Sequence, residues 1–134
     1  PFTATADATA CNCPGNGNFA DVVGSPQILG GVGPGQYWFT TSAFAVPGAN
    51  RFGNGGRNVL RGPHLSNYDF SLFRTFNLAE RFKLEYRAEF YNLTNTPHFS
   101  NPNGNVSSGS FGTITSTLSG YGNRQIQMAL RLKF

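Results

Sequence analysis

Hydrophobic and polar residues alternate along two segments in the C-terminal half of the chain. In residues 81–91, one face carries Phe82, Leu84, Tyr86, Ala88 and Phe90, and the other carries Arg81, Lys83, Glu85, Arg87 and Glu89. In residues 124–134, Ile126, Met128, Leu130, Leu132 and Phe134 alternate with Gln125, Gln127, Ala129, Arg131 and Lys133. A period of two separates these sets completely, whereas a helix would scatter them around its circumference. Both segments are therefore predicted to be β-strands.

Two further segments show the same pattern less strictly. Residues 67–76 alternate except at Phe73, which falls on the polar face, and Arg74, which falls on the apolar one. Residues 110–118 place Phe111 and alternate threonines on one side and are predicted to form a weaker strand. The turn-rich residues 77–80 and 120–123 separate the strands. The prediction for residues 63–134 is thus four antiparallel strands, at about 67–76, 81–91, 110–118 and 124–134.

Residues 1–62 carry no sustained period. Glycine, proline and asparagine recur throughout them, as in the run Gly30-Gly31-Val32-Gly33-Pro34-Gly35. Such residues supply turn geometry, so this part is predicted to be an irregular, loop-rich segment with at most short strands. The whole chain is accordingly predicted to be all-β, with up-and-down antiparallel strands after an irregular segment.

The predicted strands are long enough to cross a bilayer. A tilted transmembrane strand needs about 9–11 residues, whereas strands of water-soluble proteins average about 5 or 6. In an outer-membrane-type barrel, one face of each strand meets lipid and the other meets a polar lumen. The lumen-facing charges are then Arg81, Lys83, Glu85, Arg87 and Glu89, and the lipid-facing or sheet-packing residues are Phe82, Leu84, Tyr86, Phe90, Ile126, Met128 and Leu130. A soluble antiparallel sheet would show the same alternation.

The end of the sequence favours the membrane interpretation. It stops on Phe134, and Gln127, Ala129, Leu132 and Phe134 resemble the assembly signal of bacterial outer-membrane proteins. That signal has a polar residue, a glycine two positions later, and apolar or aromatic residues at the third-last and last places. Ala129 departs from it, because glycine is usual there.

Other motifs carry a more specific resemblance. Residues 53–63 read Gly-Asn-Gly-Gly-Arg-Asn-Val-Leu-Arg-Gly-Pro, residues 67–72 read Asn-Tyr-Asp-Phe-Ser-Leu, and residues 90–99 contain Asn92, Leu93, Thr94 and Asn95. In this order they are similar to the C-terminal region of Oar-like TonB-dependent transporters, over roughly residues 24–134. Those proteins close a barrel of about 22 strands around a plug.

The resemblance implies a function and partners. The chain would be a structural part of the pore wall in the bacterial outer membrane, without a catalytic role. Its partners would be the rest of the barrel and plug of a longer chain, TonB through that part, and outer-membrane lipid. Asn92, Leu93, Thr94 and Asn95 would form a periplasmic turn, on the same side as Phe134, with residues 77–80 and 120–123 outside.

Composition and charge exclude several other classes. The net charge of +4 is spread without a basic run, so no nucleic-acid partner is expected. His64 and His98 each neighbour a proline and stand far apart, and Glu85 and Glu89 are too distant for a catalytic carboxylate pair. No enzyme activity, cofactor or metal is therefore expected. Cys11 and Cys13 are expected to be two loop thiols or a labile bridge.

Four strands cannot close a barrel by themselves. Either the chain belongs to a longer polypeptide, as the absence of an initial Met also indicates, or identical copies pair through their open edges. The second case gives an alternative function, a self-assembling extracellular fibre or cell-surface subunit built by strand pairing. A soluble binding module is a third class and predicts a folded monomer without detergent.

Overall fold

The structure, a computed structural model, describes residues 1–13 and 16–134 and confirms the predicted all-β, antiparallel class. The strands are β1 (Thr5–Ala6), β2 (Asn18–Phe19), β3 (Asp21–Val22), β4 (Phe44–Ala45), β5 (Phe70–Asn77), β6 (Lys83–Tyr91) and β7 (Gln125–Lys133), with short 3₁₀ helices at Ala8–Ala10 and Thr41–Ala43. The chain forms two compact units. Unit 1 comprises Pro1–Pro63 and Phe99–Leu118, and unit 2 comprises His64–His98 and Ser119–Phe134.

Unit 2 contains one three-stranded antiparallel sheet in the order β5-β6-β7. Residues directly opposite each other on neighbouring strands share a face. The register therefore sets four three-residue rows on one face: Phe70, Phe90 and Ile126; Leu72, Ala88 and Met128; Arg74, Tyr86 and Leu130; Phe76, Leu84 and Leu132. All but Arg74 are hydrophobic or aromatic. Three hydrophobic alternations thus lie in phase across the sheet.

The strand bounds differ from the predicted ones, since β5 spans Phe70–Asn77 and not residues 67–76. β6 begins at Lys83, so Arg81 and Phe82 lie in the hairpin loop, which corrects their predicted places on the strand. The loop closes through the backbone of Phe82, whose carbonyl accepts from Leu78 N–H at 3.0 Å and whose N–H donates to the Ala79 carbonyl at 3.2 Å. These bonds turn Phe82 out of the β-ladder.

The predicted strand at residues 110–118 is wrong. These residues belong to unit 1 and form a turn at residues 110–112 followed by irregular backbone, with one isolated bridge between Phe99 and Thr117. Gly112 has a φ of +80°, a left-handed conformation that breaks an extended run. Phe111 and Ile114, three positions apart, are both buried, which a period of two would not allow.

Unit 1 has its own aromatic core despite its irregular backbone. The Phe39 ring lies 5.8 Å from Phe2, 5.7 Å from Phe44 and 5.2 Å from Phe111, measured between ring centroids. Phe39 is fully buried, and aromatic pairs at these separations stabilise a core beyond their buried area. The core joins residues from both stretches of unit 1, so residues 99–118 fold with the N-terminal segment and not as part of the predicted strand region.

Cys11 and Cys13 form a disulfide, with their Cα atoms 5.2 Å apart. Of the two expected states, the bridge is therefore the one in the structure. Among the residues that the structure describes, no helix has the length and apolar character that crossing a membrane requires.

Candidate functional site

The apolar face of the three-stranded sheet is open to its surroundings. On the outer strands, Phe70, Leu72, Phe76, Ile126, Met128, Leu130 and Leu132 are between 45% and 67% exposed. On the central strand, Leu84, Tyr86 and Phe90 are half-buried between their neighbours, and Ala88 is buried. A contiguous apolar surface of this kind marks an interface, because water-soluble monomers rarely expose one.

The opposite face is polar and partly ion-paired. Glu85 binds Lys133 across β6 and β7, and Glu89 binds Arg87 along β6. Glu89 is buried, so its pairing with Arg87 offsets the cost of removing the carboxylate from water. Lys83 lies opposite Asn77 and Lys133 on the same face. Of the five predicted lumen-facing charges, four therefore share one face, and only Arg81 lies outside the strand.

Two residues break the division between the faces, as their sequence positions indicate. Phe73 is 60% exposed on the polar face, and the guanidinium carbon of Arg87 lies 5.1 Å from the centre of its ring. Arg74 lies on the apolar face, one row inside the row of Phe76, Leu84 and Leu132 that borders the hairpin, and its guanidinium carbon lies 5.6 Å from the ring centre of Phe76. Each arginine is thus placed over an aromatic ring.

Asn92 fastens the end of the sheet opposite the hairpin. Its side chain donates to the carbonyls of Thr96 at 3.0 Å and Gly122 at 3.1 Å, and accepts from Thr96 N–H at 3.0 Å. Its own N–H donates to the Asp69 carboxylate at 2.8 Å. Leu93 N–H donates to the Tyr68 carbonyl at 2.8 Å. We call this set of bonds the Asn92 latch.

The latch joins the segments that precede β5, follow β6 and precede β7. Sequence reasoning identified Asn92–Asn95 as a turn but missed this junction. The available signal was asparagine itself, since Asn92 and Asn95 adopt φ values of 50° and 51°, which asparagine tolerates better than most residues. The same end also holds His98, whose Nε2 lies 2.9 Å from the Ser66 carbonyl and whose ring packs on Tyr121.

The sheet topology corrects the predicted placement of the turns. β6 ends at Tyr91 and pairs directly with the antiparallel β7, which begins at Gln125. Residues 92–95 and 120–123 therefore lie at one end of the sheet, whereas residues 78–82 and Phe134 lie at the other. The prediction that the Asn92–Asn95 turn shares a side with Phe134 is wrong. The prediction included a strand at 110–118, which the structure does not have. Because each antiparallel strand takes the chain to the opposite end of the sheet, one strand fewer moves the Asn92–Asn95 turn to the end opposite Phe134.

The four residues of the predicted assembly signal lie on β7 or directly after it. Gln127 and Ala129 are on the polar face, Leu132 is on the apolar face, and Phe134 follows the strand and is 94% exposed. Their role as a signal stays a prediction. Within residues 1–13 and 16–134, no group of three or more His, Cys, Asp or Glu side chains could hold a metal ion.

Unit 1 contains a second polar network. Both carboxylate oxygens of Asp21 accept hydrogen bonds from Arg51, and one accepts from Asn54 N–H at 3.0 Å. The Arg51 guanidinium holds the pKa of the buried Asp21 carboxyl below its usual value, and Asn54 N–H lowers that pKa further. This pair fixes the residue 51–54 segment against β3, where Val22 N–H donates to the Asn54 side chain at 2.7 Å.

Comparison with known proteins agrees with the two-faced sheet. A family model described as "Outer membrane beta barrel domain" matches residues 1–127, which include all of unit 1 and most of unit 2. No curated protein and no solved structure is similar enough to count as a match. The family indicates an outer-membrane location in general terms. A three-stranded sheet with one open apolar face and one ion-paired face is what a segment of a barrel wall requires, and the chain belongs to the outer membrane beta barrel domain family.

Proposed function

We propose that the chain is part of the barrel wall of a TonB-dependent transporter in the bacterial outer membrane and has no catalytic role. The observation that carries the proposal is the register of β5, β6 and β7, which brings three hydrophobic alternations onto one exposed face. In lipid, an apolar side chain taken from water stabilises the fold by about 1.5–3 kcal/mol. The opposite, ion-paired face suits a polar lumen.

The dimensions of the strands support a membrane crossing. β6 has nine residues, which at about 3.3 Å per residue extend roughly 30 Å. A tilt of about 40° reduces the height to roughly 23 Å, close to the ~25 Å apolar band of outer-membrane barrels. The unpaired outer edges of β5 and β7 would continue into neighbouring strands of the longer chain.

Loop lengths support one orientation. Outer-membrane barrels have short periplasmic turns and longer extracellular loops. Residues 78–82 form the short turn and residues 92–124 the long connection, so we assign the hairpin and Phe134 to the periplasm and the Asn92 latch to the outside.

Nitroxide scanning tests the barrel-wall proposal. Single cysteines at residues 126–131, in a Cys11→Ser, Cys13→Ser background of the full chain in lipid, would carry the label. Oxygen concentrates in the hydrocarbon, so its collision rate should be high at Ile126, Met128 and Leu130 and low at the residues between them. A water-soluble nickel reagent should show the opposite pattern. Equal accessibility at both sets would contradict the proposal.

The transporter type is supported by the motifs at residues 53–63, 67–72 and 90–99, which resemble Oar-like members. TonB would engage a part of the longer protein outside these residues. Formaldehyde cross-linking in living cells, followed by purification of the protein that contains this chain, should recover TonB. The control is an established TonB-dependent receptor in the same cells. Recovery of TonB with the control alone would reject the transporter type and leave the barrel wall untouched.

The open edges of β5 and β7 also favour a second candidate, a self-assembling extracellular fibre or surface subunit. In that case the edges and the apolar face would be covered by copies of the chain. Sedimentation of the chain separates the candidates. Regular filaments formed in water without lipid would support the fibre, whereas insertion into vesicles as a dispersed species would support the barrel.

A further inference from the structure

The chain contains three asparagine–glycine pairs, Asn16-Gly17, Asn54-Gly55 and Asn103-Gly104. In such a pair the backbone nitrogen of the glycine can attack the side-chain amide carbon of the asparagine, because glycine has no Cβ to hinder the approach. All three pairs share this chemistry, so the contacts of each pair in the folded chain decide which of them reacts.

Folding holds the Asn54-Gly55 pair in place. Asn54 Oδ1 accepts a hydrogen bond from Val22 N–H at 2.7 Å. Gly55 N–H, the group that would attack, donates to the Ala20 carbonyl at 3.0 Å. A Cβ built at Gly55 would meet the Ala20 carbonyl oxygen at 2.5 Å, so the glycine lies tightly against that backbone. The attack would require both hydrogen bonds to break.

The side chain of Asn103 is held as well. Its Nδ2 donates to Ser108 Oγ at 3.0 Å and to Ser110 Oγ at 2.7 Å, and its Oδ1 accepts from Asn105 N–H at 2.9 Å. Both ends of the amide are therefore bonded. These bonds oppose the rotation that would bring the amide carbon to the nitrogen of Gly104.

The Asn16-Gly17 pair lacks these restraints. Both residues are exposed, and among the residues that the structure describes neither the Asn16 side chain nor Gly17 N–H makes a hydrogen bond. Asn16 N–H donates to the Cys13 carbonyl at 3.1 Å, a bond that involves neither reacting atom. A Cβ built at Gly17 meets no atom within 4 Å, so the backbone has room to rotate there.

We propose that Asn16 is a site of spontaneous modification, at which asparagine is converted to aspartate or isoaspartate. Gly17 N loses its proton to hydroxide and bonds to Asn16 Cγ, and the Cγ–NH₂ bond breaks as ammonia leaves with a proton from water. Water then opens the resulting five-membered succinimide ring. Cleavage of the bond between Cγ and nitrogen gives aspartate, and cleavage between the main-chain carbonyl carbon and nitrogen gives isoaspartate.

The modification changes unit 1 next to β2. It adds a carboxylate, which lowers the net charge of +4 by one. The isoaspartate form also adds one carbon to the backbone two residues before Asn18, which pairs with Ala6 in β1 and accepts from Gly53 N–H at 3.1 Å. The site lies within unit 1 and does not depend on whether the protein is a transporter.

Folded and denatured samples of the full chain measure the selectivity of the reaction. One sample in lipid vesicles and one in denaturant are incubated at the same mildly alkaline pH and digested with pepsin in acid. Mass spectrometry with electron-transfer fragmentation then quantifies aspartate and isoaspartate at each position. In the folded chain Asn16 should react at least tenfold faster than Asn54 and Asn103, and in denaturant the three rates should be similar.

Three results would overturn the proposal. Equal rates at the three positions of the folded chain would show that the hydrogen bonds of Asn54 and Asn103 give no protection. No reaction at Asn16, over a time in which the denatured chain reacts, would show that the fold protects it too. A preference for Asn16 that persists in denaturant would mean that the fold does not cause the selectivity.

A matched pair of variants identifies the attacking nitrogen. Gly17→Ala should slow the reaction at Asn16 at least tenfold, because the added methyl group hinders the approach of the nitrogen. Gly109→Ala is the control and should leave the rate unchanged. A Cβ at either position meets no atom within 4 Å, so both variants should keep the fold. An unchanged rate at Asn16 in Gly17→Ala would reject the attack by Gly17 N.

Discussion

Asn92 and Gly122 are joined by a 3.1 Å hydrogen bond from the asparagine side chain to the glycine carbonyl, although 30 positions separate them in the sequence. With the bond from Asn92 N–H to Asp69, it ties together the segments at one end of all three long strands. The long connection between β6 and β7 therefore starts and finishes at a fixed junction.

Replacing Asn92 should loosen this junction in two separable ways. Asn92→Gly removes the side-chain hydrogen bonds but keeps a residue suited to the φ of 50°, and should destabilise the fold by about 1–3 kcal/mol. Asn92→Ala removes the same bonds and adds about 1–2 kcal/mol for the left-handed backbone. Denaturant unfolding in lipid vesicles measures both variants.

Asn123→Gly is the control, because Asn123 is an exposed residue of the adjoining turn. It should change the stability by less than about 0.5 kcal/mol. Faster amide exchange at Thr96 in the Asn92 variants would locate the change. If Asn92→Gly leaves both stability and exchange unaltered, the latch contributes nothing to the junction.

The sequence was informative where a single period controls the backbone. Lys83 to Phe90 and Ile126 to Leu132 alternate strictly, and the sheet places them on the predicted faces with matching register. The two faces of each strand meet different environments, so the polarity of a side chain indicates the face on which it lies. The charged and apolar residues of β6 could therefore be assigned without any tertiary contact, apart from Arg81 and Phe82 in the loop.

Unit 1 could not be predicted in the same way. Its core joins Phe39 to Phe111, 72 positions later in the sequence, through loops with no period. The alternating threonines near Phe111 imitate a strand, but Gly112 turns the backbone there. Because the order of turns across the membrane depends on the number of strands, this one error also reversed the predicted side of Asn92.

The two faces of β7 predict opposite responses to a new charge. Met128→Arg places a cation on the apolar face near the middle of the sheet, where lipid would cost about 2–4 kcal/mol. Gln127→Arg places the same cation on the polar face opposite Glu89 and should cost less than about 1 kcal/mol. Urea unfolding in vesicles gives both values. Equal costs would argue against lipid on the Met128 face.

Arg74 should be tolerated because its side chain extends toward the hairpin. It lies three residues before the end of β5, with its guanidinium over Phe76 in the row that borders the hairpin, so the long side chain can reach the headgroups. Arg74→Leu is expected to change the unfolding free energy by no more than about 1 kcal/mol. A large stabilisation by Arg74→Leu would show that Arg74 is buried in hydrocarbon.

Asp21 should make unit 1 sensitive to acid. Its pKa is lower in the folded chain than its usual 3.8, so the folded state binds fewer protons than the unfolded state. Its contribution is complete above the unfolded pKa, near pH 4, and is lost as the pH falls through the folded value. The protection of the Asn54 amide against exchange, taken relative to the intrinsic rate at each pH, should fall over that range. Asp21→Asn and Arg51→Gln should both flatten this response, and an unchanged profile in either variant would assign it to another group.

The proposed orientation predicts which turns are accessible on intact cells. Glu80→Cys lies in the hairpin turn and Ser119→Cys precedes the exposed turn at the other end of β7, each in the Cys11→Ser, Cys13→Ser background. A membrane-impermeant maleimide should label Ser119→Cys on intact cells and Glu80→Cys only after the outer membrane is opened. Labelling under denaturing conditions gives the total amount of thiol and corrects for shielding by other loops.

The reverse labelling pattern would place the hairpin outside. Labelling of both ends on intact cells would mean that the strands do not cross the membrane.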